Sequence, residues 1–302
     1  MRVLLTGSHG LIGSALVASL HSDGHHVTTL VRGEPRGPGE IRWDPGSATV
    51  DPDALEGHDA AVNLAGAGIG DHRWTDDYKA LIRDSRVKGT TLLARTLASL
   101  ERPPTVFLSG SAVGYYGDRG DDELTEESGP GTGFLADVVA AWEDATAAAA
   151  DAGIRVVLLR SGIVLTPTGG ALKRQLLPFR LGLGGRIGSG RQWFSWVTLD
   201  DEVGAIRHAM ATDGVAGAVN LTAPEPVTNA EFTRTLGAAV RRPTLVPTPT
   251  PALRLLLGRE LVAEMLLGGQ RVLPARLTAT GYQFGQPRLG DALTSMLGAR
   301  RR

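Results

Sequence analysis

Two periods of hydrophobic and polar positions take turns along the first half of this chain. Apolar runs of strand length occur at 3–5, 27–31, 60–64, 105–108 and 155–159. Between them the apolar residues recur at helical spacing, as in Leu11, Ile12, Ala15, Leu16 and Leu20. The stretches 75–100 and 133–152 are each expected to form one helix long enough to cross a sheet. Such alternation implies right-handed βαβ crossovers and a parallel sheet covered on both faces. After Thr166 the texture changes to Gly/Pro loops at 167–170 and 182–190, then short elements and a Pro-rich stretch at 243–251. The expected fold is α/β, with a doubly wound parallel sheet in residues 1–165 that later segments around 190–222 complete. A smaller C-terminal α/β lobe for substrate is expected over 166–302, and the terminal Arg300, Arg301 and Arg302 are expected to fray.

The first strand runs directly into Gly7, Gly10 and Gly13, with Ser8, His9, Leu11 and Ile12 filling the spaces. Gly7 allows a tight turn, Gly10 lets the backbone approach a pyrophosphate, and Gly13 allows close packing of the helix that follows, whose N-terminus favours an anion. This is the Rossmann-type arrangement for a dinucleotide. At the end of the second strand, where an acid would hold ribose hydroxyls, the chain carries Arg32. A guanidinium there suits the 2′-phosphate of NADP(H), with Arg36 a second candidate; the alternative is a solvated arginine at a strand end.

Composition narrows the field. A chain of 302 residues, 42% hydrophobic, can bury a sizeable core, and a net charge of -1 argues against a nucleic-acid surface. Without cysteine there is no disulfide, thiol catalysis or Cys-based metal site, and the dispersed His58, His72 and His208 show no ligand spacing, so no metal is expected. Even the apolar stretch 253–267 is broken by Arg254, Arg259, Glu260 and Glu264, so no membrane span is expected. With no charged-then-apolar leader, the expected location is the cytoplasm.

Ligands of open α/β sheets lie beyond the carboxyl ends of the strands. The residues there are Asn63, Leu64, Ala65 and Gly66 after the third apolar run, Ser109 through Gly117 after the fourth, and Arg160 through Leu165 after the fifth. Asn63 to Gly66, Ser109 and Arg160 are expected at the cofactor. With the segments 6–13, 63–66, 73–74, 109–117, 178–185, 188–192, 196–197, 200–201 and 267–274 in this order, the chain resembles extended-type short-chain dehydrogenase/reductases. It is most similar to an atypical bacterial subgroup of the NAD(P)-dependent epimerase/dehydratase superfamily, labelled epimerase family protein, with a C-terminal domain of unknown function.

That resemblance implies a Tyr and a Lys four residues apart on the helix after the Ser111 strand, the lysine lowering the phenol pKa for proton transfer. Here the helix offers only pairs such as Phe134 with Val138 and Leu135 with Val139, and the chain's lysines are Lys79, Lys88 and Lys173. Ser111 occupies the position of the substrate-orienting serine, the alternative being a backbone cap. Tyr115 and Tyr116 offer phenols or packing anchors. Either Arg86 or Lys88 is placed to face the cofactor, against a solvated helix surface. Arg191 resembles the grip on a nucleotide-sugar phosphate, against a structural salt bridge, and Trp196 with Trp193 and Phe194 suggests an aromatic wall at the substrate. Asp200 and Asp201 read as caps of a helix over 202–210.

The implied function is an NADP-binding oxidoreductase or epimerase acting on a small sugar-like or phosphorylated substrate. The alternative is a non-catalytic NADP-binding sensor or scaffold. A monomer or a homodimer paired through the long helix 75–100 is expected.

Overall fold

The computed structural model describes residues 1–298, so the arginine run at 300–302 lies outside the described residues. The chain begins with β1 (Arg2–Thr6), α1 (Leu11–Ser22), β2 (His26–Val31), β3 (Glu40–Asp44), β4 (Thr49–Val50), β5 (Ala60–Asn63), α2 (Asp76–Ala98) and β6 (Val106–Ala112). It continues through β7 (Glu123–Leu124), α3 (Phe134–Asp144), α4 (Ala147–Asp151), β8 (Arg155–Ser161), β9 (Ile163–Leu165), α5 (Gly170–Arg180), β10 (Trp193–Phe194), β11 (Trp196–Thr198), α6 (Leu199–Ala211) and β12 (Gly217–Leu221). The remaining elements are β13 (Val227–Thr228), α7 (Asn229–Val240), α8 (Thr250–Leu257), α9 (Arg259–Val262), β14 (Arg271–Val272), α10 (Ala275–Ala279) and α11 (Leu289–Gly298).

Eight strands form one sheet in the order β12-β8-β6-β5-β1-β2-β3-β4, and every pairing is parallel except β3 with β4. The strand period of two divides the core. Val3, Leu5, Val62 and Leu108 pack with Leu16, Leu20 and Ile206 under α1 and α6. Leu4, Ala61 and Phe107 pack with Leu93, Leu97 and Ala149 under α2 and α4. A third cluster, including Leu172, Phe179, Trp196, Phe232 and Leu293, forms the core of the C-terminal lobe.

Two local expectations are corrected and a third is narrowed. The stretch 133–152 is two helices, because the Thr146 hydroxyl turns back to the Glu143 carbonyl at 2.7 Å and breaks the α-helical run. The helix expected over 202–210 starts earlier, at Leu199, and is capped by Thr198, whose hydroxyl accepts the Asp201 N–H. The Asp201 carboxylate instead accepts the N–H groups of Gly285 and Gln286, tying the C-terminal segment to α6. Of the segments around 190–222, only β12 joins the main sheet, whereas β10 pairs with β13 and β11 with β9. No helix among the described residues is long and apolar enough to cross a membrane.

Candidate functional site

The glycine turn has the geometry its spacing implies. Gly7 sits at φ +73°, and a Cβ there would lie 2.6 Å from the Leu64 backbone. A Cβ on Gly13 would strike the Gly7 carbonyl, so α1 presses directly on the turn. Gly10 donates to the Gly7 carbonyl at 2.9 Å and stands as the N-cap of α1, with no side chain to bond the first N–H groups of that helix. Those free donors and the positive end of the helix dipole fit a phosphate.

From this turn a groove of about 990 Å³ runs along the carboxyl edge of β1, β2 and β5. Gly7, Ser8, His9 and Gly10 line it after β1, Leu64, Ala65 and Gly66 after β5, and Arg32, Arg36 and Lys88 are part of the same lining. Lys88 pairs with Asp84 at 2.7 Å, and the nearby Glu34 carboxylate is taken by Arg42 at 2.5 Å. Arg32 makes no ion pair among the described residues, which leaves a positive charge facing the groove. Sequence reasoning missed Trp43 and Asp44, which end β3, and Pro45 and Gly46, which follow it; all four form part of the lining. Their signal was a Trp-Asp-Pro-Gly turn at the end of a short polar-apolar alternation. The side chains of Leu11 and Ile12 turn away, Leu11 onto Gly169 and Gly170 and Ile12 into the core under α1, so what these two residues offer the groove is their backbone N–H groups at the start of α1.

At the carboxyl end of β6 the structure assembles a buried polar chain. The Ser111 hydroxyl donates to Glu143 Oε1 at 2.5 Å. The two Glu143 oxygens accept from Arg160 Nε and Nη2, each at 2.8 Å, in a bidentate pair almost wholly removed from solvent. Arg160 Nη1 donates to the Tyr116 hydroxyl at 2.9 Å, which donates to Asn220 Oδ1 at 2.7 Å, and the guanidinium lies 3.5 Å from the Tyr115 ring centre. Burial alone would lower the Arg160 pKa, but the hydrogen bonds and charge of Glu143 and Tyr116 outweigh it and raise the pKa. Burial pushes the Tyr116 phenol up, against the opposing pull of Arg160.

These contacts reassign several residues. Arg160, expected at the cofactor, is committed to Glu143 and Tyr116. Tyr116 is fully buried and holds that network together; only the half-buried Tyr115 keeps access to a ligand. The Asn63 amide bonds Thr6 and Thr90, and the buried Ser109 hydroxyl turns to the Gly110 carbonyl, so neither side chain reaches the groove. Trp196 is no aromatic wall: it is fully buried in the C-terminal core, its indole N–H on the Glu225 carbonyl. Arg191 is exposed and makes no salt bridge among the described residues. Glu143 was missed, although an acid in the apolar stripe Ala136, Val139, Trp142 of an amphipathic helix marks a buried charge.

The C-terminal segment clasps this region. Glu264, in the π-helical segment Ala263–Leu267, accepts the N–H groups of Phe134 and Leu135 at 2.9 Å each and so caps α3. Arg174 reaches Asp71 at 2.6 Å and Lys79 reaches Glu260 at 2.8 Å across the same boundary.

Fold and groove together define a dinucleotide-binding α/β protein. Residues 3–221 match the NAD dependent epimerase/dehydratase family, to which the chain belongs, and residues 248–296 match a domain of unknown function, DUF1731. The chain is 46% identical over 291 residues to the epimerase family protein Mb2239 of Mycobacterium bovis, covering 96% of each chain. It is 43% identical over 300 residues to the human epimerase family protein SDR39U1, covering 98% of this chain and 100% of that protein. The crystal structure of human SDR39U1 (isoform 2) with NADPH superposes with a TM-score of 0.90 at 40% identity, covering 99% of both chains.

Proposed function

We propose that this chain is a cytoplasmic NADP(H)-dependent oxidoreductase or epimerase-like enzyme for a small sugar-like or phosphorylated substrate, with Ser111 and Glu143 in place of the missing Tyr/Lys pair. The observation that carries this reading is the Ser111 hydroxyl held 2.5 Å from a buried carboxylate at the carboxyl edge of β6. Arg32, which lines the groove without an ion-pair partner among the described residues, and the NADPH in the human relative's structure support the choice of cofactor. Bound NADP(H) supplies hydride transfer at its nicotinamide ring. The chain's own part is to receive the diphosphate at Gly7, Ser8, His9, Gly10 and the α1 N-terminus, and the 2′-phosphate at Arg32, Arg36 and Lys88. As a substrate hydroxyl is oxidised, its proton passes to Ser111 Oγ while the Ser111 proton moves to Glu143 Oε1. Arg160 holds the carboxylate in line for that transfer. The exposed Arg191 is available for an anionic group of the substrate.

One observation favours a second reading, an NADP-binding sensor without turnover: neither Phe134 with Val138 nor Leu135 with Val139 on α3 can do acid/base work, and Trp142 fills the space beside Gly110. Equilibrium titration with NADPH and NADH at one salt concentration, followed by NADPH oxidation against a panel of keto-sugars and their phosphates, separates the two. Selective NADPH binding with turnover that Ser111→Ala abolishes supports the enzyme. Selective binding with no turnover supports the sensor, and binding of neither dinucleotide overturns both.

A further inference from the structure

Among the described residues, Arg86 on α2 is a buried cation with no carboxylate partner. It is 8% exposed and makes one hydrogen bond, Nη1 to the Ile82 carbonyl at 3.0 Å. The face of Trp142 lies 5.1 Å away and compensates part of the charge. A buried charge without a counter-ion is costly, and here burial pulls the guanidinium pKa down to about 10. Its Nε and Nη2 groups have no partner in the protein, yet neither nitrogen is sealed from solvent.

The topology fixes where those donors face. The crossover helix α2 runs antiparallel to β5 and β6. Thr90 on α2 meets the amide of Asn63, the last residue of β5, at 2.8 Å. Arg86 is one turn nearer the start of α2, about 6 Å further out along the axis, and therefore beyond the strand ends where ligands bind in such sheets. It packs on Gly66 of the groove wall, where a Cβ would come within 3.2 Å of its Cζ. Its neighbour Ser85 lines the groove itself.

We infer that Arg86 is an anion-binding position, at which a phosphate or carboxylate carried by a ligand supplies the missing counter-charge between the dinucleotide groove and the Ser111 chain. Two sources have that chemistry: the diphosphate of the dinucleotide, and an anionic group on a second ligand bound beside it. The inference deepens the proposed function and shares its groove.

The test compares the wild type with Arg86→Met and Arg86→Lys at fixed ionic strength. Tryptophan fluorescence reads NADPH binding to the free protein, calorimetry reads inorganic phosphate binding to NADPH-saturated protein, and a third titration uses inorganic pyrophosphate on the free protein. If the dinucleotide is the source, Arg86→Met weakens NADPH by about tenfold or more and Arg86→Lys by less. If a second ligand is the source, NADPH binding is unchanged and the phosphate site on the loaded wild type disappears in Arg86→Met. The urea midpoint is an independent readout: removing an uncompensated buried cation in favour of an apolar side chain raises it, whereas a structural arginine would lower it. Equal anion binding by all three proteins, or a lowered midpoint with unchanged binding, overturns the inference. A wild type that binds pyrophosphate through Arg86 but neither NADPH nor NADH overturns the proposed function and leaves Arg86 standing.

Discussion

On the α3 face of the sheet Glu143 is buried against a bidentate partner, Arg160, whereas on the α6 face Glu202 is buried with only the Ser161 hydroxyl, at 2.5 Å, and an Oε2 atom without a partner. The two sites hang from consecutive residues of β8, Arg160 and Ser161, which point to opposite faces. One face keeps its charge by pairing. The other is relieved of charge by protonation: burial raises the Glu202 pKa to about 8, with the Ser161 hydrogen bond opposing. Similar side chains at similar depth thus serve different ends, and the paired one is the one connected to Ser111.

Breaking the paired side gives the largest expected effect. Arg160→Ala leaves Glu143 buried and unpaired, and urea unfolding should show a loss of about 3–5 kcal/mol. An unchanged midpoint would show that the pair is not the fastening of α3 to the sheet. On the unpaired side the effect follows pH. Because the folded pKa of Glu202 lies above its ordinary value of 4.5, the unfolded chain releases a proton that the folded chain keeps, so stability is lost as pH rises. Between pH 4.5 and about 8 this contributes a fall of about 1.4 kcal/mol per pH unit, and none below that window. Glu202→Gln should flatten that slope; identical slopes in parent and variant would refute the assignment. Ser111→Ala sharpens the contrast. It leaves Glu143 its Arg160 partner and should cost about 1 kcal/mol in unfolding, while removing turnover at unchanged NADPH affinity. A variant with full turnover would remove Ser111 from the proton path. The smallest effect on stability belongs to the exposed cation of the groove: Arg32→Ala should leave the urea midpoint in place and lower the NADPH/NADH affinity ratio, and an unchanged ratio would free Arg32 of any role at the 2′-phosphate.

Much of the fold was legible because its signals are local. An apolar strand, three spaced glycines and a helical stripe lie within the first 20 residues, and β1, the turn and α1 follow from them. The strand β3 was not read, because its polar-apolar alternation spans only five residues and a Pro/Gly stretch precedes it. Site residues divided along the same line. Gly7, Gly10 and Arg32 line the groove where the chain puts them. The roles of Arg160 and Trp196 depend on Glu143, 17 residues back, and on Glu225, 29 residues ahead, and no local pattern names such partners. What sequence does reveal is a charge inside an apolar stripe. Arg86, among Ile82, Thr90, Leu93 and Leu97, carries that mark as plainly as Glu143 does.

The cap that Glu264 places on α3 has a consequence in the order of synthesis. A growing chain emerges from its N-terminus, so the helix that carries Glu143 is made some 120 residues before the carboxylate that completes its first turn. Until that late segment arrives, the Phe134 and Leu135 N–H groups must be left to water. The part of the chain of unknown function is therefore the last assembled piece of the site, and a nascent protein stalled before it would hold a sheet and a groove with an unfinished neighbour.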